Sequence, residues 1–111
     1  AANPEAIDEA TRAHYARLYA LPGAMRAGFA QFAAFAQDAR DNQAFLAKSK
    51  LDMPVLAIGG DHSFGAAMAE VMRAAAEHVT EAVIPDAGHW PIEEQPAAAL
   101  AAIRDFLGRR R

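Results

Sequence analysis

The sequence contains no cysteine, which removes disulfides, thiolate nucleophiles and cysteine metal sites together. No apolar run approaches the roughly 18 residues of a membrane span. The start of the sequence carries no charged-then-apolar segment of the kind that directs secretion, so a cytoplasmic location is expected. Charge of one sign is scarce: 11 Lys and Arg against 14 Asp and Glu leave a net charge of −3. That balance gives no electrostatic reason to bind nucleic acid or an acidic membrane. The one basic cluster, Arg109-Arg110-Arg111, reads as a solvated tail. Strand signals are missing from the first 50 residues, so the two halves of the chain differ in kind.

What remains is globular in composition, with 53% hydrophobic and 23% charged residues. A chain of 111 residues allows one domain at most and a modest core. Asn3-Pro4 predicts a helix start, with Asn3 as N-cap and Pro4 at the first helical position, where no N–H is needed. Ile7, Ala10, His14, Leu18 and Leu21 then recur at helical spacing until Pro22-Gly23. A second helix is expected over residues 24–39, with Met25, Phe29, Phe32 and Ala36 on one stripe and Phe35 widening it. Asp41-Asn42 should break it, and residues 43–48 should form a further short helical turn.

At Leu51 the pattern changes. Met53-Pro54-Val55-Leu56-Ala57-Ile58, closed by Gly59-Gly60, reads as a strand buried on both faces. Ser63 is expected to cap a helix over 64–78, with Met68, Val71, Met72 and Ala75 inward. A second buried strand is expected over 81–85, and a last helix over 96–107 that buries Leu100, Ile103 and Leu107. Strand, helix, strand, helix in this order predicts a parallel pair with a crossover connection. Two such strands leave edges and apolar faces uncovered, so self-association or association with further polypeptide is expected.

The second strand ends in Pro85-Asp86-Ala87-Gly88 and delivers His89 to a loop at its carboxyl end. Open α/β sheets hold their chemistry there, which makes His89 a general-base candidate rather than a chance turn histidine. Trp90 reads as packing beneath that loop, and Glu94 as an acidic residue at a helix start. Asp61 reads first as a turn residue and second as a catalytic acid. His62 reads as exposed, with a place at the site mouth as the alternative. His14 and His78 have no metal-ligand spacing, so neither a metal nor a cofactor is expected. Nothing in the chain reads as the nucleophile that His89 would serve.

The residues Met53-Pro54-Val55-Leu56, Gly59-Gly60, Gly88-His89-Trp90 and Glu93-Glu94-Gln95-Pro96 resemble the carboxyl-terminal end of an α/β-hydrolase. More narrowly, they are similar to the branch of epoxide hydrolases and haloalkane or fluoroacetate dehalogenases. The run from Tyr15 to Phe29, with Leu21-Pro22-Gly23-Ala24-Met25-Arg26 at its centre, is similar to the end of that branch's helical cap domain. The resemblance spans essentially the whole chain but about the last third of a family member. It implies an α/β fold: the closing strand-helix-strand-helix portion of a parallel sheet over residues 51–111, preceded by the end of the cap over residues 1–50.

The implied activity is hydrolysis of a small apolar electrophile. An aspartate forms an ester with the substrate carbon, and a water activated by His89 hydrolyses it. Epoxides are the first expected substrates and carbon–halogen compounds the second, followed by other α/β-hydrolase chemistry. A non-catalytic fragment or interaction module is the alternative of another class. No Gly-x-Ser-x-Gly or Gly-x-Asp-Trp elbow occurs, so the nucleophile is expected upstream and the segment alone is expected to be inactive. Two departures from the branch stand out. A frequent position of the catalytic acid falls on Ser63, and a cap tyrosine that polarises the epoxide oxygen or holds the halide is replaced by Phe32. Tyr15, Tyr19, Phe32 and Trp90 are the candidate pocket residues; Tyr15 or Tyr19 could supply the hydroxyl that Phe32 lacks.

Overall fold

The computed structural model describes residues 1–108; the basic cluster at residues 109–111 lies outside the described residues. The chain divides into two compact units, Ile7–Ser49 and, together with Ala1–Ala6, everything from Lys50 onward.

In the first of these units, α1 (Glu9–Tyr19) starts where the Asp8 side chain accepts the N–H of Thr11 at 2.8 Å. The expected start at Asn3 yields only a 3₁₀ turn, Pro4–Ala6. Asn3 Oδ1 takes the Glu5 N–H at 3.0 Å, but the extended backbone of Asp8 (φ −68°, ψ 168°) restarts the helix with its own cap. Gly23 adopts φ 87°, a left-handed conformation open to glycine at no steric cost, and leads into α2 (Ala24–Leu46). That helix runs through Asp41-Asn42, where a break was expected, and absorbs the separate turn expected after it. No glycine or proline interrupts 29–46. Gln37 donates to Asp41 at 2.8 Å and Arg40 to Gln37 at 2.6 Å, side-chain pairs at helical spacing that favour continuation. No residue of α2 is buried within the chain.

The other unit is built on two apolar runs. β1 (Val55–Gly60) and β2 (Val79–Ile84) pair in parallel, in register from Val55 opposite Val79 to Gly60 opposite Ile84. An isolated parallel bridge between Leu51 and Ala76 precedes the pair. Between the strands, α3 spans Ala67–Ala75, shorter than expected at both ends. The Gly60 carbonyl accepts the N–H groups of Ser63 (3.0 Å) and Gly65 (2.9 Å), which holds residues 61–65 in a tight turn. Ser63 is therefore no helix cap. At the far end, Ala76 turns extended and joins the bridge to Leu51.

α4 (Pro91–Glu94) and α5 (Pro96–Gly108) close the unit, and both α3 and α5 pack on the two strands. The inward face of α3 follows expectation but for Val71, and that of α5 is turned by one position. α3 buries Ala69 and half-buries Met68, Met72 and Ala75, with Val71 outside; α5 buries Ala99 and half-buries Ile103 and Phe106, with Leu100 and Leu107 outside. The closed core is therefore small: Ala57, Ala69, Ala76, Ile84, Ala87 and Ala99. Large side chains such as Val71, Val83, Leu100 and Leu107 remain exposed. No described helix is long and apolar enough to cross a membrane.

Alanine and glycine dominate where the backbone segments meet. A Cβ at Gly59 would collide with the backbone of Gly65, and one at Gly60 with the carbonyls of Ala87 and Gly88. Backbone carbonyls cannot rotate away as a side chain would. Gly60→Ala should therefore destabilise by about 3 kcal/mol, the upper end of the usual overpacking range. The open Gly28, with nothing near its added methyl, should accept alanine without loss. Urea unfolding midpoints of the two variants check the contrast.

Candidate active site

The register of the strand pair brings both strand ends to one place, since Gly60 stands opposite Ile84. The two loops that follow are knitted together by backbone groups: Asp61 N–H donates to the Ile84 carbonyl at 3.1 Å, and His62 N–H to the Ala87 carbonyl at 2.9 Å. Asp61 adds a side-chain tie, its Oδ1 accepting the Ala87 N–H at 3.2 Å. Burial by itself would raise the pKa of Asp61, but the N–H groups of Asp86 and Ala87 prevail and hold it below the ordinary carboxylate value. The carboxylate is thus engaged by the turn; its nearest ring partner is His62, at 3.7 Å.

His89 extends from the second of these loops and is exposed. Trp90 stands edge-on to its ring, centroids 4.8 Å apart with an 88° interplanar angle. Trp90 was expected beneath the loop, yet it is 52% exposed and flanks the imidazole instead. Among the described residues, no side chain hydrogen-bonds the His89 ring. Asp86 turns the chain into this loop with φ 54°, a left-handed conformation that aspartate tolerates better than most residues. Its carbonyl accepts from Gln95 Nε2 at 3.4 Å.

The residue whose placement the sequence reading missed is Glu94. It was read as a helix-start acid, but it is only 7% exposed and stands behind the histidine loop. Its Oε2 accepts the N–H groups of Ala2, Asn3 (3.2 Å) and Gly88 (3.1 Å), and its Oε1 that of Trp90 (3.0 Å). Burial would raise its pKa, yet the N–H groups of Trp90, Gly88, Asn3 and Ala2 outweigh burial and lower it from 4.5 to about 2. The crowding around this carboxylate is seen at Gly88, six residues before Glu94. A Cβ there would lie 2.6 Å from the Ala2 nitrogen.

The remaining sequence-derived candidates lie in the Ile7–Ser49 unit. Tyr15 and Tyr19 are on α1, and Phe32 is on α2. Phe32 is 66% exposed and packs on Phe35 with ring centroids 5.1 Å apart. Tyr15 stacks obliquely on His14 at 6.0 Å. Back at the strand ends, Asp61, His62 and Asp86 offer potential ligand atoms within 4.8 Å of one another. All three are exposed, and exposed acidic groups commonly gather in turns without an ion.

The backbone arrangement, two parallel strands with helices packed on them, has counterparts among solved structures. The chain superposes on Cfl2 from Burkholderia cenocepacia with a TM-score of 0.89 and 39% identity, over 95% of this chain and 36% of that one. It superposes on the epoxide hydrolase CorEH with a TM-score of 0.88 and 30% identity, over 99% of this chain and 38% of that one. The architecture is that of the carboxyl-terminal segment of an α/β-hydrolase. In sequence the resemblance falls on the epoxide hydrolase branch: the chain is 33% identical over 105 residues to the soluble epoxide hydrolase of Corynebacterium sp. (strain C12), covering 95% of this chain and 36% of that protein. The chain thus spans little more than a third of the length of these relatives. No protein-family model matches it.

The depressed pKa of Glu94 has a consequence for acid stability. A carboxylate that ionises more readily folded than unfolded contributes stability present in full above its unfolded value of about 4.5. That contribution is lost as pH falls towards about 2. Asp8 and Asp61, both lowered, add to the same acid slope, so the diagnostic quantity is a difference between proteins. Glu94→Gln should be less stable than the parent at neutral pH, with the gap narrowing below pH about 4.5. Urea midpoints across that pH range measure it.

Proposed function

We propose that this chain is the histidine-bearing part of an α/β-hydrolase that opens small apolar electrophiles, epoxides first, with His89 as the general base. The observation that carries the reading is the position of His89, exposed on the loop after the second of two parallel strands. The similarity to a soluble epoxide hydrolase over nearly the whole chain supports the substrate class. The exposed apolar side chains of β2, α3 and α5 support a further point: additional polypeptide covers them in the working enzyme.

The chemistry runs in two steps. A carboxylate supplied by the rest of the enzyme attacks an epoxide carbon, the carbon–oxygen bond of the ring breaks, and the released alkoxide takes up a proton. The product is a covalent ester. His89 then removes a proton from water, the resulting hydroxide adds to the ester carbonyl, and the diol leaves as the carboxylate is restored. Residues 1–50 form the end of the cap in this reading and residues 51–111 the end of the catalytic core. Tyr15, Tyr19, Phe32 and Trp90 are its pocket candidates, and Asp61 is a candidate acid already engaged by Ala87. Carbon–halogen compounds are the second substrate class: Phe32 gives a developing alkoxide no proton donor, whereas a halide leaves without taking up a proton. In that variant of the first step the carbon–halogen bond breaks and halide departs.

His89→Gln in the complete enzyme should leave ester formation intact and stop its hydrolysis. Intact-protein mass spectrometry after exposure to an epoxide should then find a stable adduct of enzyme plus substrate. Normal turnover without an adduct in that variant would remove His89 from the mechanism.

A further inference from the structure

The loop that carries His89 has its two flanking backbone N–H groups, Gly88 and Trp90, on opposite oxygens of one buried carboxylate. We propose that Glu94 is the positioning residue of His89, and that it couples the histidine loop to the segment Ala2-Asn3. This deepens the assignment of His89 as general base and rests on it.

The stoichiometry of the site argues for a role beyond capping the short α4. One N–H to a helix-start acid would satisfy a capping function. Here the carboxylate accepts one N–H from each side of His89 and two from a segment about ninety residues away in sequence. With the amides on both sides of residue 89 fixed, rotation of the loop about its own axis is blocked, and the Cα–Cβ direction of the histidine is set. Gly88 completes the device: its bare Cα lets Ala2 approach to where a Cβ would be 2.6 Å from the Ala2 nitrogen. Four N–H donors also require an anion. A glutamine has one acceptor oxygen, and its NH₂ would point a donor at a backbone donor, so at least one of the two loop amides loses its partner.

Such a residue touches neither substrate nor nucleophile, and its loss should act only where His89 acts. In the complete enzyme, Glu94→Gln should form the ester at the parental rate per folded molecule and hydrolyse it about ten- to a hundredfold more slowly, the usual cost of misplacing a catalytic group by about 1 Å. Glu94→Asp, which keeps the charge but retracts it, should fall between and serves if the glutamine variant does not fold. The Cε1–H resonance of His89 should move in both variants. Equal slowing of the two steps, or no slowing of either, would overturn the proposal, because a purely structural role lowers the folded fraction without changing the ratio of rates. A parallel His89→Gln variant separates the two claims. If it accumulates no ester, the general-base assignment fails, and the coupling is then decided by the resonance alone: an unmoved His89 signal in Glu94→Gln and Glu94→Asp overturns it.

Discussion

The carboxylate of Glu94 is the constraint on which the strand-end region depends. Loops at the ends of a parallel sheet expose backbone N–H groups that the ladder no longer pairs, and leaving them buried and unpaired costs free energy. Here a single buried anion takes two of them, from Gly88 and Trp90, and two further N–H groups from Ala2 and Asn3. The exchange works in both directions: the donors make an ionised group tolerable in a nearly closed site, and the group gives the donors a common anchor. Once that anchor is in place, the loop can carry an exposed imidazole without wandering. Asp61 repeats the arrangement on a smaller scale, with its oxygen on the Ala87 N–H. The histidine thus stands on a loop tied from two sides.

Small residues make this crowding possible. The strand-end glycines lie against neighbouring carbonyls, and the closed core is alanine with one isoleucine. A core of that kind brings backbones close but buries little apolar area, so its hydrophobic contribution is modest. The larger apolar side chains of the unit are on its outside. The sheet, with two strands in the described residues, has unpaired edges to match. Both features fit a structure in which these elements form one flank of a larger sheet.

Much of this was legible in the residues, and the failures share a cause. The two strands were legible as apolar runs, but β2 starts two residues before the expected 81 and leaves Glu81 and Val83 exposed, so it is not closed on both faces within this chain. The longer helices were equally clear, but the four-residue α4 was not read, and the separate turn expected over 43–48 merges into α2. Helix limits were not legible, because they were settled by competition between local groups: Asp8 displaced Asn3 as the cap, the Gly60 carbonyl captured the turn that Ser63 was expected to cap, and Gln37 with Asp41 carried α2 across its expected break. α3 turned Met68, Met72 and Ala75 inward as expected but closed on Ala69 rather than Val71, while α5 turned by one position to bury Ala99 and half-bury Phe106 in place of Leu100 and Leu107. In the site, His89 was visible from its motif and its place after a strand. Glu94 was visible only as a residue, since nothing local announces that Ala2 and Asn3 fold back onto it.

The central claim is that His89 acts on a covalent ester rather than directly on the substrate. A single turnover in heavy-oxygen water, with enzyme in excess over epoxide, separates the two. If an enzyme carboxylate supplies the oxygen, the diol from the first turnover carries ordinary oxygen and the label appears in the protein. Heavy oxygen in the diol of that first turnover would mean that water attacks the epoxide directly, and the two-step account would be wrong.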